Sequence, residues 1–246
     1  MRLFATPPYH DVKELLDSSD NYSKHDLTHT LRDIRRANIF GLGTWVVKHH
    51  LARLLADHPR DRPVRVLDLA TGSADIPQAI CHWADEAGYA LQFVATDVSE
   101  PILGIARQRI NKAGLASRVS FAVCDATRPP FPDGAFDVVV CSLAFHHLQI
   151  QQAKDVLGQM ARLGKKGFII NDIYRAKGGW YMSILLSRLT TTNKLTRHDG
   201  PASVLRAFTP VELRRLAGRA GVAVRIYKHP FWRVAVVGRG TEERGA

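Results

Sequence analysis

Val66-Leu67-Asp68-Leu69-Ala70-Thr71-Gly72-Ser73-Ala74-Asp75 decides the reading of this 246-residue chain. A short apolar run ends in a turn of small side chains, and Asp75 opens a helical pattern that continues to Ala87. Small residues let a ligand approach the backbone, and the free N–H groups of a helix start offer it donors. A dinucleotide-binding loop would instead read G-x-G-x-x-G. Counted from Ala70, those three places hold Ala70, Gly72 and Asp75. An aspartate in the last place would crowd the helix and repel a pyrophosphate, so a nicotinamide-dependent dehydrogenase is not expected.

On either side of this stretch the pattern alternates strand and helix. Val64–Leu69, Leu91–Thr96, Val119–Val123, Phe136–Ser142 and Phe168–Asn171 read as strands. Asp75–Ala87, a helix capped by Ser99 and running through Ala113, and Gln149–Leu163 lie between or beside them. Such alternation with short connections predicts parallel strands, right-handed crossovers and a doubly wound α/β sheet. Ligands of these sheets bind beyond the carboxyl ends of the strands. Asp97, at the tip of the second strand, is placed to accept both hydroxyls of a ribose. Asp125, 28 residues later at the tip of the third, is placed to accept from a purine amino group. An acid after a strand is commonly a turn former or a cap; the ordered set with the small-residue turn points to a nucleoside ligand without phosphates.

These residues resemble motif I and the acidic strand tips of class I S-adenosylmethionine-dependent methyltransferases. The similarity is greatest to the ubiquinone/menaquinone C-methyltransferase branch, and it covers about residues 64–173. The resemblance implies S-adenosylmethionine as cofactor, held by Asp68, Ala70, Thr71, Gly72, Asp97, Val98, Asp125, Ala126 and Cys141. It also implies a seven-stranded, mostly parallel Rossmann-like sheet ending in an antiparallel hairpin, here Val222–Lys228 and Trp232–Val237. Phe136–Ser142 followed by Phe145-His146-His147-Leu148 is similar to the fourth-strand motif of the small-molecule enzymes. Three positions depart from the pattern. Ala74 stands where a further glycine is usual, Leu163-Gly164-Lys165-Lys166-Gly167 lacks a Pro-Gly, and His146-His147 replaces the Arg-Asn of the quinone branch. Leu31–Asn38, Arg197–Pro201 and Arg206–Thr209 resemble methyltransferases found beside bacterial polyketide-type pathways.

The expected organisation is a helical N-terminal cap over 1–60, the cofactor-binding core over 61–173, an inserted helical lid over 174–208, and the last helix and terminal hairpin over 209–240. Within the lid, a helix near Gly179–Leu189 and a polar turn at Thr190–Lys194 are expected, with Tyr174, Tyr181, Arg197 and Arg206 on the acceptor. The aromatic residues there have an equally good reading as packing onto the sheet. Thr241–Ala246 reads as a frayed tail. His146, four residues past Ser142, is the expected general base, and His147 the expected cap of the next helix or a second catalytic group. An imidazole ordinarily titrates near 6.5, so its neutral form is available at pH 7.

Composition narrows the remaining choices. Hydrophobic residues make up 46% and charged residues 23%, an ordinary globular balance. No run approaches the roughly 18 apolar residues of a membrane span, and Met1–Asp20 has no apolar signal core. Cys81, Cys124 and Cys141 form no C-x-x-C pair, so a reduced, cytoplasmic protein without a disulfide framework is expected. His25 and His29 have metal spacing but no third ligand, and no metal is expected. Of the net charge of +11, residues 174–246 carry +10. That excess suits solubility, an anionic surface or nucleic acid. The expected function is methyl transfer to a small, aromatic or polyketide-like metabolite, with oxygen favoured over carbon or nitrogen. The other reading is an RNA methyltransferase or RNA-binding protein using the basic C-terminal third; no Asn-Pro-Pro-Tyr or Asp-Pro-Pro-Tyr follows the fourth strand, which counts against nucleic acid. The sequence leaves the oligomeric state open.

Overall fold

Residues alternate across the strands so that each sheet face receives its own apolar set. Val64 and Val66 of β1 (Val64–Leu69) face one core cluster, with Val138, Val140 and Ile169. Leu67 and Leu69 face the other, with Val139, Cys141 and Ile170. The period of two and burial on both faces explain why these strands are almost continuously apolar. The computed structural model describes residues 6–10, 12, 14–15 and 23–240. The expected frayed tail at 241–246 lies outside the described residues.

The further strands are β2 (Leu91–Asp97), β3 (Val119–Val123), β4 (Phe136–Ser142), β5 (Gly164–Ile173), β6 (Val224–His229) and β7 (Arg233–Arg239). They form one seven-stranded sheet in the order β3-β2-β1-β4-β5-β7-β6. β1 through β5 pair in parallel, and β7 runs antiparallel to both β5 and β6. The sheet is therefore the expected Rossmann-like one with a terminal hairpin. Its order reverses at β1, and the crevice beyond the β1 and β4 tips is where such sheets take ligands.

Helices α1 (Lys24–Phe40), α2 (Gly43–Leu54), α3 (Asp75–Glu86) and α4 (Glu100–Lys112) precede the middle of the sheet, and α5 (Ile150–Leu163) and α8 (Pro210–Arg219) follow it. Val47 and Leu51 of α2 pack with Ile76 and Ile80 of α3 and with Ile110 of α4 in the first cluster. Val156, Leu157 and Met160 of α5 pack with Leu213 and Leu216 of α8 in the second. Thus α2, expected as part of a cap, is built into one layer of the core. A reciprocal Ser23–Asp26 capping box starts α1, and Gly41 ends it. The buried Arg233 guanidinium then fixes that end, donating to the carbonyls of Ala37 and Gly41 and to Asn38 Oδ1.

Two elements differ from the sequence expectation. β5 begins at Gly164, four residues before Phe168. A Cβ on Gly167 would collide with the Gly238 carbonyl, so this glycine serves close strand approach. In the segment expected as a lid, α6 (Lys177–Thr190) matches the expected helix, while α7 (Lys194–Arg206) is a further helix that the sequence pattern does not announce, and it continues through Gly200-Pro201. Asn193 caps it by accepting from the Leu195 N–H, and its buried Leu195, Ala202 and Val204 secure it by packing.

Near the β6 edge, His50 of α2 lies with its Nε2 3.0 Å from Nε2 of His229. Burial, reinforced by the neighbouring His229 and His49, pushes the His50 imidazole down to about 4. An unfolded chain would take up this proton near 6.5. The stability that rests on neutral His50 is therefore full above about 6.5 and is lost as pH falls toward about 4. Thermal melts between pH 7 and pH 5 should show the midpoint falling, and His50→Leu should flatten that slope. A parallel slope in the variant would remove His50 from the account.

Candidate active site

The turn after β1 winds through three left-handed residues, Ala70 (φ 55°), Gly72 (φ 55°) and Ala74 (φ 54°). Only glycine takes this conformation freely, so the two alanines hold local strain of about 1 kcal/mol or more each. A Cβ placed on Gly72 would meet nothing within 4 Å, so the space over this turn is open. Asn38 of α1 donates to Asp75 at 3.0 Å, which ties the first helix to the start of α3.

Two carboxylates frame the turn. Asp68 is buried, and its Oδ2 accepts from the Thr71 hydroxyl at 2.6 Å. Its Oδ1 is also buried and has no partner. Burial pushes the Asp68 carboxyl up to about 7, although the Thr71 hydroxyl opposes the shift. Asp97, at the end of β2, accepts from the Gly72 N–H at 3.0 Å and the Ser99 N–H at 3.1 Å. Burial raises its carboxyl too, against those backbone donors. The Val98 N–H also bears on this carboxylate, and since a carboxylate has about four lone-pair sites, some capacity remains for an outside donor. Val98 beside it is 67% exposed, an apolar shelf at the strand tip. Asp125, after β3, is exposed and spends Oδ1 on the Thr127 N–H and hydroxyl, both at 2.8 Å. Ala126 packs at the edge of the second core cluster. Cys141 does not reach this surface. It is fully packed in that cluster and its thiol is raised well above its ordinary range, chiefly by burial and also by Asp172 and Asp68.

The second half of the site lies past β4. Phe145–His147 makes one 3-10 turn, and Gln149 rather than His147 caps α5, with Gln152 completing a capping box. His146 is 5% exposed. Its Nδ1 lies 2.7 Å from Asp172 Oδ1, and its backbone N–H donates to Asp172 Oδ2 at 3.1 Å. Burial alone would raise the Asp172 carboxyl; the charge and hydrogen bonds of His146 hold it below the usual range. Spacing does not mark Asp172 as a partner, since it lies inside β5, 26 residues away. Glu14 is the other residue the sequence does not single out. It is 3% exposed, with Oε1 3.8 Å from His146 Nε2 and Oε2 3.7 Å from His147 Nε2. Nothing in the mixed N-terminal stretch marks it.

The segment expected as a lid supplies part of the surround. Arg206 donates to the His147 carbonyl at 2.9 Å and lies 3.9 Å from Glu14 Oε1. Ser203 donates to the same Glu14 oxygen at 2.9 Å. Glu14, His146 and His147 present ligand atoms within 4.8 Å of one another, a set close enough to share a metal ion. The Arg206 guanidinium also faces that carboxylate. Tyr174, Tyr181 and Arg197 are not brought to this cluster by any described contact. Tyr174 packs against the second core cluster under Lys228. Tyr181 is 63% exposed on α6. Arg197 donates to the carbonyls of Arg188 and Thr191 and so closes the carboxyl end of α6.

Residues 66–167 match the family model for a methyltransferase domain. Over 106 residues the chain is 32% identical to a demethylmenaquinone methyltransferase of Bacteroides fragilis, covering 43% of this chain and 41% of that one. It is 35% identical over 103 residues to a ubiquinone/menaquinone biosynthesis C-methyltransferase of Pseudomonas fluorescens, covering 42% and 38%. The chain thus matches about two-fifths of the length of these relatives. The CurJ carbon methyltransferase shares the fold, with a TM-score of 0.65 at 11% identity over 88% of this chain and 59% of that one. The buried, unpartnered Asp68 oxygen and the open turn above Gly72 fit a ligand carrying an ammonium group, and the remaining acceptor capacity of Asp97 fits a ribose. The strand order is that of solved methyltransferase folds, and residues 66–167, with their small-residue turn, match a methyltransferase domain similar in sequence to ubiquinone/menaquinone C-methyltransferases.

Proposed function

We propose that this protein methylates a small aromatic or polyketide-like metabolite that carries an acidic phenolic or enolic hydroxyl. The observation that carries the reading is the buried His146–Asp172 pair, at 2.7 Å, on the edge of the sheet that also bears Asp68 and Asp97. Asp172 orients Nδ1 and balances the charge that forms when Nε2 takes a proton. The acceptor hydroxyl would take the place beside Nε2 that Glu14 now holds. Its proton passes to Nε2 as the oxygen becomes the nucleophile. S-adenosylmethionine, when bound, supplies a methyl group already activated on a sulfonium, whose C–S bond breaks to leave a neutral thioether. Because the methyl is activated, the chain's main task is alignment, and a base is required only where the nucleophile must lose a proton.

Asp97 would hold the ribose and the spare oxygen of Asp68 the ammonium group, with Asp125 and Ala126 at the base. Oxygen is the favoured target. A phenolate or enolate is also nucleophilic at the adjacent carbon, and the relatives named for C-methylation support carbon as the other target. Incubating the protein with methyl-labelled cofactor and a panel of phenols, enolic polyketide-like compounds and RNA tests the reading. Label on a phenolic or enolic compound, located on oxygen or carbon by NMR, is the expected result. Label on RNA alone would overturn it.

A further inference from the structure

The outer face of α6 is unused by the site. Tyr181, Met182, Leu185, Leu186 and Leu189 are 38–72% exposed. At 100° per residue they fall within one stripe about 140° wide. Soluble surfaces carry scattered exposed leucines, but five large apolar residues along one 14-residue helix form a continuous patch. The patch extends past the start of the helix. Trp232 packs on Gly178 and Gly179, which sets its exposed neighbour Phe231 near that end of α6.

The rim of the patch is cationic. No acidic residue occurs between Asp172 and Asp199. Arg188, Lys194 and Arg197 are exposed at the carboxyl end of α6. Hydrogen bonds from Thr191 and Thr196 to Asp33 of α1 seat this end against a helix that exposes Arg32, Arg35 and Arg36. Asp33 is the acid within this group, and it is spent on those hydroxyls and on Arg36.

We propose that α6 lies in the interface of an anionic lipid bilayer, its apolar stripe against the acyl chains and its basic rim among the headgroups. An apolar stripe bordered by Lys and Arg is the arrangement of helices that lie in a membrane surface. A second copy of this chain would set one cationic rim against another. No helix among the described residues is long and apolar enough to cross a membrane, so the attachment is peripheral. Docked this way, α7 is the helix between the bilayer and Glu14, which Ser203 and Arg206 of α7 contact.

Flotation of the full chain with vesicles of phosphatidylcholine, with and without phosphatidylglycerol, tests this without cofactor or acceptor, and so independently of the proposed reaction. The full chain should bind the anionic vesicles on the order of tenfold better than the neutral ones, with partial retention at high salt. The double variant Leu185→Ser, Leu189→Ser keeps the charge and should weaken binding on the order of tenfold or more. Cofactor affinity, measured by calorimetry, should be unchanged and so reports an intact fold. Equal binding by the double variant would mean that charge alone acts and would overturn the proposal. So would a dimer in sedimentation velocity that the same variant abolishes.

Discussion

Replacing His146 by alanine is expected to slow methyl transfer roughly a hundredfold, the scale of a lost general base, while cofactor affinity holds. The side chain has one nitrogen fixed by Asp172 and the other directed to the place where Glu14 sits, so its proton-accepting position is defined by the fold. Asp172→Asn should share the defect. It keeps the shape but replaces a charge with a dipole, and it allows the imidazole to present the wrong tautomer. Both variants should lose the ascending limb of the pH–rate profile, a readout that a purely structural loop would leave in place. His147→Ala should stay within a few-fold of the parent, since its backbone carbonyl, rather than its ring, holds Arg206. Near-normal turnover in His146→Ala, with a collapse in His147→Ala, would exchange the two roles.

The parts of this molecule that follow local rules are legible in the amino-acid sequence. Strand periodicity places β1 to β4 to within a residue, because burial on both faces leaves a run such as Val138-Val139-Val140 no other stable use. The small residues after β1 and the acids at the tips of β2 and β3 also stand at the strand ends where the pattern puts them, because each answers to a position in the chain. What local pattern misses is long-range. β5 starts early because Gly164 pairs with Phe136 of β4, and α7 survives Pro201 because its apolar residues are buried. Tyr181 and Arg197 have the chemistry of acceptor contacts, yet helix phase turns Tyr181 outward and Arg197 closes α6. Glu14 is invisible in sequence because it is brought to His146 from a distant part of the chain, by a segment that Arg175 holds through the Pro7 carbonyl.

The cofactor half of the site yields the second large effect. Asp97→Ala should weaken S-adenosylmethionine binding roughly tenfold to a hundredfold, the equivalent of about 1.5–3 kcal/mol for a lost charged acceptor. Part of this loss is indirect, since Asp97 also receives the Gly72 N–H and so shapes the turn that Ala70 and Ala74 hold in left-handed conformations. Asp97→Asn separates the two: it keeps an oxygen for Gly72 and should fall between the parent and the alanine variant. Asp68 adds a pH signature. Its carboxyl, pushed up to about 7 by burial, must lose its proton before its unpartnered oxygen can receive an ammonium group as a carboxylate. Cofactor affinity should therefore rise as pH increases through about 7, and Asp68→Asn should flatten that rise. Calorimetric titrations at pH 6, 7 and 8 on the parent and the three variants make the comparison. An Asp97→Ala affinity equal to the parent's would take the ribose away from β2, and a flat pH dependence in the parent would take the ammonium group away from Asp68.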